Sequence, residues 1–141
     1  DFRIAADTAK LGDTTGEFGL LPDEGAACQF PRAMGLDRAL KMTMLAEVYD
    51  AKTALELGLV TEVVPAGELE ARTMAFARAL AAKAPLAVRL AKAMMMRGLN
   101  LTLDQSLGDA ALSVMVSNPA QDVREGVKAF FEKREPKFEG R

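Results

Sequence analysis

Pro65 divides this chain more sharply than any other residue, because behind it the apolar residues recur at helical spacing almost to the end. Leu69, Thr73, Phe76 and Leu80 lie on one helical face between Gly67 and Ala84. Pro85 stands where a proline opens a helix, at the first helical position, and Gly98 ends the stretch. Thr102 and Gln105 have the spacing of a capping box ahead of Leu103, Leu107, Ala111 and Val114. Asn118-Pro119 interrupts that helix, and Val123, Val127, Phe130 and Phe131 form the apolar stripe of the next. The charged tail "EKREPKFEGR" is expected to be partly extended.

Before Pro65 the pattern is mixed. "DFRIAA" alternates, with Phe2, Ile4 and Ala6 on one side, and reads as a strand with neither turn nor cap before it. A chain that starts inside a strand is expected to be the later part of a longer protein. Gly12, Gly16 and Gly19 break "AKLGDTTGEFGLLP" into short strands and turns, and a helix opens after Pro22. "LDRALKMTML" reads as a helix with Asp37 as its cap. In "YDAKTALELGLV", Asp50 caps a helix and Gly58 stops it, and "LVTEVV" is a strand ending at Pro65. The expected organisation is an α/β front over residues 1–66 and a helical region over 67–141.

Composition removes several chemistries. The 141 residues contain no histidine, so neither a Ser-His-Asp nor a Cys-His pair nor a histidine-ligated metal can be built within them. No metal site is expected. The single cysteine, Cys28, has no internal disulfide partner and suits a reducing, cytoplasmic compartment. A net charge of −2 lacks the basic excess of a nucleic-acid binder, and no apolar run approaches the roughly 18 residues of a membrane span. Met94, Met95 and Met96, with Met42, Met44, Met74 and Met115, read as packing between helices. What remains for chemistry is carboxylates, Lys, Arg, hydroxyls and backbone N–H groups.

The stretch "GLLPDEGAACQFPR" then poses a choice. Asp23 and Glu24 either favour a helix N-terminus as first-turn charges, each by roughly 0.3–1 kcal/mol, or form an acid/base group behind an apolar segment.

The order "DFRIAADTAKLG", "GLLPDEGA", "FPRAMGLDRAL", "YDAKTALELGLVTEVVP", "DVREGVKAFFEKREPKF" resembles the second half of the enoyl-CoA hydratase/isomerase family, the crotonase superfamily. The resemblance covers essentially the whole chain. It implies an α/β fold, a spiral of ββα units incomplete at its N-terminal side and followed by a helical trimerisation region. It also implies a homo-oligomer, trimer or hexamer, acting on acyl-CoA thioesters, with coenzyme A as part of the substrate and no cofactor. Two backbone N–H groups of the family hold the thioester oxygen as an enolate forms, and both belong to segments that precede Asp1.

For the site residues the resemblance is specific. Thr15 stands where the family's hydratases carry their second glutamate, and a threonine hydroxyl does not carry protons at neutral pH. Glu17, two residues on, is a weaker replacement. Asp23 stands where several double-bond isomerases of the superfamily place their acid, which makes it the first candidate for proton transfer, with Glu24 second. Phe130 and Lys133 match an aromatic and a lysine that reach the coenzyme A of a neighbouring subunit. Arg32 reads as a structural partner. The expected activity is enoyl-CoA isomerisation; the rivals are hydration through Glu17 or Glu24, and a catalytically silent acyl-CoA-binding or oligomer-completing subunit.

Overall fold

The computed structural model describes residues 1–141. They form two compact units, Asp1–Ala75 and Phe76–Arg141.

In the first unit, β1 (Ile4–Ala6) pairs in parallel with β4 (Glu62–Val64), Ala5 lying opposite Val63. A parallel pair needs a long connection. Here it carries β2 (Lys10–Gly12), α1 (Ala26–Met34), α2 (Leu36–Met44), β3 (Val48–Asp50) and α3 (Ala51–Glu56). β2 and β3 pair antiparallel, with Leu11 opposite Tyr49. The core is Ala5, Met34, Ala39, Met42, Ala54, Leu59 and Val60, with Met42 fully enclosed.

One expectation about this unit, the Asp37 cap, needs correction, and two features go beyond what was expected. The buried side of β1 is Ala5, while Phe2 is exposed. Ile4, Ala5 and Ala6 are all apolar, so alternation supplies the period without saying which side turns inward. β3 is an additional strand next to the Asp50 cap; its pairing with β2 is non-local and leaves little trace in three residues. Asp37 lies in the first turn of α2, whose cap is Gly35, because that single glycine joins α1 directly to α2. Asp50 caps α3 as expected, its carboxylate accepting the Thr53 N–H at 2.8 Å, and Gly58 follows the helix end at φ +81°.

The second unit begins within α4 (Leu69–Ala81) and continues through α5 (Pro85–Gly98), α6 (Leu103–Ser117) and α7 (Gln121–Glu132). Pro85 opens α5, and both hydrogen bonds of the Thr102–Gln105 capping box form on α6. Arg97 on α5 and Asp109 on α6 make an ion pair at 2.9 Å. The tail has no regular secondary structure and folds back along α7. The buried Asp122 carboxylate accepts the N–H groups of Glu139 and Gly140, both at 2.8 Å. Glu125 accepts Lys137 N–H at 2.8 Å and pairs with Arg134 at 2.6 Å.

This unit covers little of its apolar surface. Val123, Val127, Phe130 and Phe131 are exposed, and α7 instead buries Asp122 and Ala129. Of the methionines read as packing, Met42 is buried and Met94 half-buried, whereas Met44, Met74, Met95, Met96 and Met115 are exposed. No helix is long and apolar enough to cross a membrane.

Candidate active site

The candidate site is built by the irregular segment between β2 and α1. After Gly12 the chain turns at Asp13 into a short 3-10 helix, Thr15–Phe18, closed by Gly19 N–H to the Gly16 carbonyl at 3.2 Å. Leu20 N–H returns to the Thr15 carbonyl at 3.1 Å. A tight turn around Pro22 then forms, with Asp23 N–H donating to the Leu21 carbonyl at 2.9 Å. Gly25, at φ +86°, leads into α1, where Gln29 N–H reaches its carbonyl at 3.0 Å.

Asp23 and Glu24 therefore precede the helix. The cap is Gly25, and no acid occupies the first turn of α1, so the reading of these two residues as first-turn helix charges is corrected. Gly25 takes φ +86°, a left-handed backbone that glycine permits and a right-handed helix does not use, so the helix starts at Ala26. Both carboxylates are exposed and face a cleft of about 290 Å³ lined by Thr15, Leu20, Leu21, Pro22, Asp23, Glu24 and Ala26. Four apolar side chains, one threonine and two carboxylates thus share the cleft.

Glu17 is exposed on the 3-10 helix and does not line this cleft. Thr15 does line it, but its hydroxyl donates to Asp13 Oδ1 at 2.6 Å, and the same oxygen accepts Thr15 N–H at 3.1 Å. Asp13 Oδ2 accepts the Thr43 hydroxyl from α2 at 3.2 Å. These bonds, that from the Thr15 hydroxyl first, hold the Asp13 carboxyl below the usual carboxylate range against the opposing effect of burial. Sequence reasoning overlooked Asp13. The signal was present in "GDTT", an acid with a hydroxyl residue two positions on, the pattern of a side chain that bonds its own turn.

Cys28 is exposed on α1, and Arg32 donates to the Cys28 carbonyl at 3.0 Å. No three acidic or sulfur-bearing side chains converge as a metal site would require. In the second unit, Phe130 is 79% exposed and meets Phe131 edge-on, with ring centroids 5.7 Å apart. It is not a core residue of this chain. Lys133 is exposed and ends α7 in the left-handed region, at φ +54°.

The family description "Enoyl-CoA hydratase/isomerase" matches residues 1–141. The chain belongs to the enoyl-CoA hydratase/isomerase family. It is 36% identical over 138 residues to the crotonyl-CoA hydratase of Syntrophomonas wolfei, spanning 98% of this chain and 53% of that protein. It is 34% identical to enoyl-CoA hydratase domain-containing protein 2 of Mus musculus, over 100% of this chain and 49% of that one. The crystal structure of an enoyl-CoA hydratase from Bacillus anthracis superposes with a TM-score of 0.97 at 35% identity, covering 100% of this chain and 55% of that one. The chain thus has the crotonase fold and corresponds to the second half of the family's chain, about half the length of these relatives. Within this enoyl-CoA hydratase/isomerase chain, the segment from β2 to α1 carries the carboxylates available to the cleft.

Proposed function

We propose that this chain supplies the proton-transfer part of an acyl-CoA site and that its reaction is enoyl-CoA double-bond isomerisation, with Asp23 carrying the proton. The observation that supports this is the placement of Asp23 before α1, on an apolar-walled cleft, together with a Thr15 hydroxyl already given to Asp13. The position that the family resemblance assigns to a second hydratase glutamate holds a group unable to carry a proton.

For a 3-enoyl thioester the step is balanced by one carboxylate. Asp23 takes a proton from C2, the carbon beside the thioester carbonyl, and the C–H electron pair moves onto the thioester oxygen as a dienolate. The protonated Asp23 returns that proton to C4. The charge collapses back to the carbonyl, and the double bond now lies between C2 and C3. The developing oxyanion is the charge that the family's two upstream N–H groups are suited to stabilise. Leu20, Leu21 and Pro22 offer the acyl chain an apolar wall. No cofactor takes part, and coenzyme A is the carrier of the substrate.

Hydration is the second reading, favoured by the presence of Glu24 on the same cleft and by relatives named as hydratases. We further propose that exposed Phe130 and Lys133 meet the coenzyme A of a neighbouring subunit in a homotrimer, or a hexamer of two. An aromatic face suits adenine and an ammonium suits a phosphate.

The test uses the longest natural protein that carries this chain. With a 3-enoyl-CoA as substrate, Asp23→Asn is expected to lower kcat by about 100-fold or more, with acyl-CoA binding retained. Isomerisation that survives this change, or hydration of a 2-enoyl-CoA that depends on Glu24 and not on Asp23, would remove the isomerase reading.

A further inference from the structure

Asp13 and Asp122 are the buried carboxylates of the chain. Asp122 is explained by the tail N–H groups that it holds. Asp13, at 8% exposure, holds Thr15 twice and Thr43 once. An ionised carboxylate only accepts hydrogen bonds, so the hydrogen in the 2.6 Å contact is that of the Thr15 hydroxyl. A hydroxyl has one hydrogen. Thr15 therefore has none left for the cleft that it lines with Asp23 and Glu24.

We infer that Asp13 is a positioning residue for this cleft: it takes the Thr15 hydroxyl hydrogen and so keeps that hydroxyl from donating to the carboxylates that share the cleft. Of the side chains lining the cleft, the others are Leu20, Leu21, Pro22, Ala26 and the two acids, so Thr15 is the side chain there with a hydrogen to give. A carboxylate that accepts such a bond holds its charge more firmly and is a poorer base. Asp13 leaves the Asp23–Glu24 pair free of a side-chain donor from the cleft wall, ready to take a proton from the ligand instead. The consequence for turnover rests on the reading of Asp23 as proton carrier; the arrangement at Thr15 does not.

Two measurements on the longest natural protein that carries this chain separate these. Hydrogen exchange followed by NMR reads the arrangement directly. The Thr15 hydroxyl proton is expected to exchange slowly beside that of exposed Thr8, and equal rates overturn the inference whatever the enzyme catalyses. Kinetics with a 3-enoyl-CoA read the consequence. Asp13→Ala frees the hydroxyl and is expected to lower kcat about tenfold with KM within about twofold. Adding Thr15→Val removes the freed hydrogen and is expected to restore most of that loss. A double variant as slow as Asp13→Ala, or an Asp13→Ala variant as fast as wild type, overturns the effect on turnover. A wild type that isomerises nothing, with Thr15 slow to exchange, removes the isomerase reading and the effect on turnover while the Asp13–Thr15 arrangement stands.

Discussion

Asp13 and Asp23 are the same residue type ten positions apart, and the backbone around each decides what it does. Asp13 follows a strand, is enclosed, and has donors on both oxygens. Asp23 follows a tight turn at Pro22 and reaches an open cleft. Gly58 shows the same dependence on backbone at a position with no chemistry at all. Its φ of +81° is one that side-chain-bearing residues rarely adopt, and a Cβ there would lie 2.7 Å from the Ala33 carbonyl oxygen. That oxygen belongs to α1, so relief would require moving a helix next to the core. Gly58→Ala is expected to cost about 2–3 kcal/mol, read as a lower midpoint in chemical denaturation with an unchanged slope.

At the scale of the element, α6 depends on local chemistry because many of its apolar residues are exposed rather than packed. Thr102 accepts Gln105 N–H, and the Gln105 side chain accepts Thr102 N–H in return. Thr102→Ala is expected to cost about 1 kcal/mol, while Thr102→Ser keeps the acceptor and should stay close to wild type in thermal unfolding followed by circular dichroism. Such local devices were legible in the sequence: the Asp50 cap, Pro85 at the start of α5 and this capping box all lie within four residues of what they act on. Non-local features were not. β3 exists through its pairing with β2, the inward side of β1 depends on which helices cover it, and α7 buries Asp122 because a tail seventeen residues further on returns to it. The candidate site divides in the same way. Asp23 stood out by type and by family position and Glu24 by type alone, but their place before α1 came from the turn, and the engagement of Thr15 required a buried partner.

Across the whole molecule, carboxylates held as anions set how folding responds to acid. Glu125 is pushed down to about 2 from 4.5, chiefly by the Arg134 hydrogen bond and then by Lys137 N–H. Asp13, Glu47 and Asp50 are also lowered, first by bonds from Thr15, Tyr49 and Thr53 N–H respectively. Each binds protons less readily folded than unfolded, so the stability it contributes is present above the unfolded value and is lost as pH falls through the folded one. The stability of the chain is thus expected to be level near neutrality and to fall from about pH 4.5 towards pH 2, measured as denaturation midpoints across that range. Glu125→Gln keeps an acceptor for Arg134 and Lys137 but removes the titration. It should start less stable at pH 7 and lose less on acidification, so that the two curves converge near pH 2. Parallel curves would mean that the Arg134 contact does not hold Glu125 in solution. The tail would then need another anchor, and the buried Asp122 carboxylate, with its two N–H donors, is the group placed to provide it.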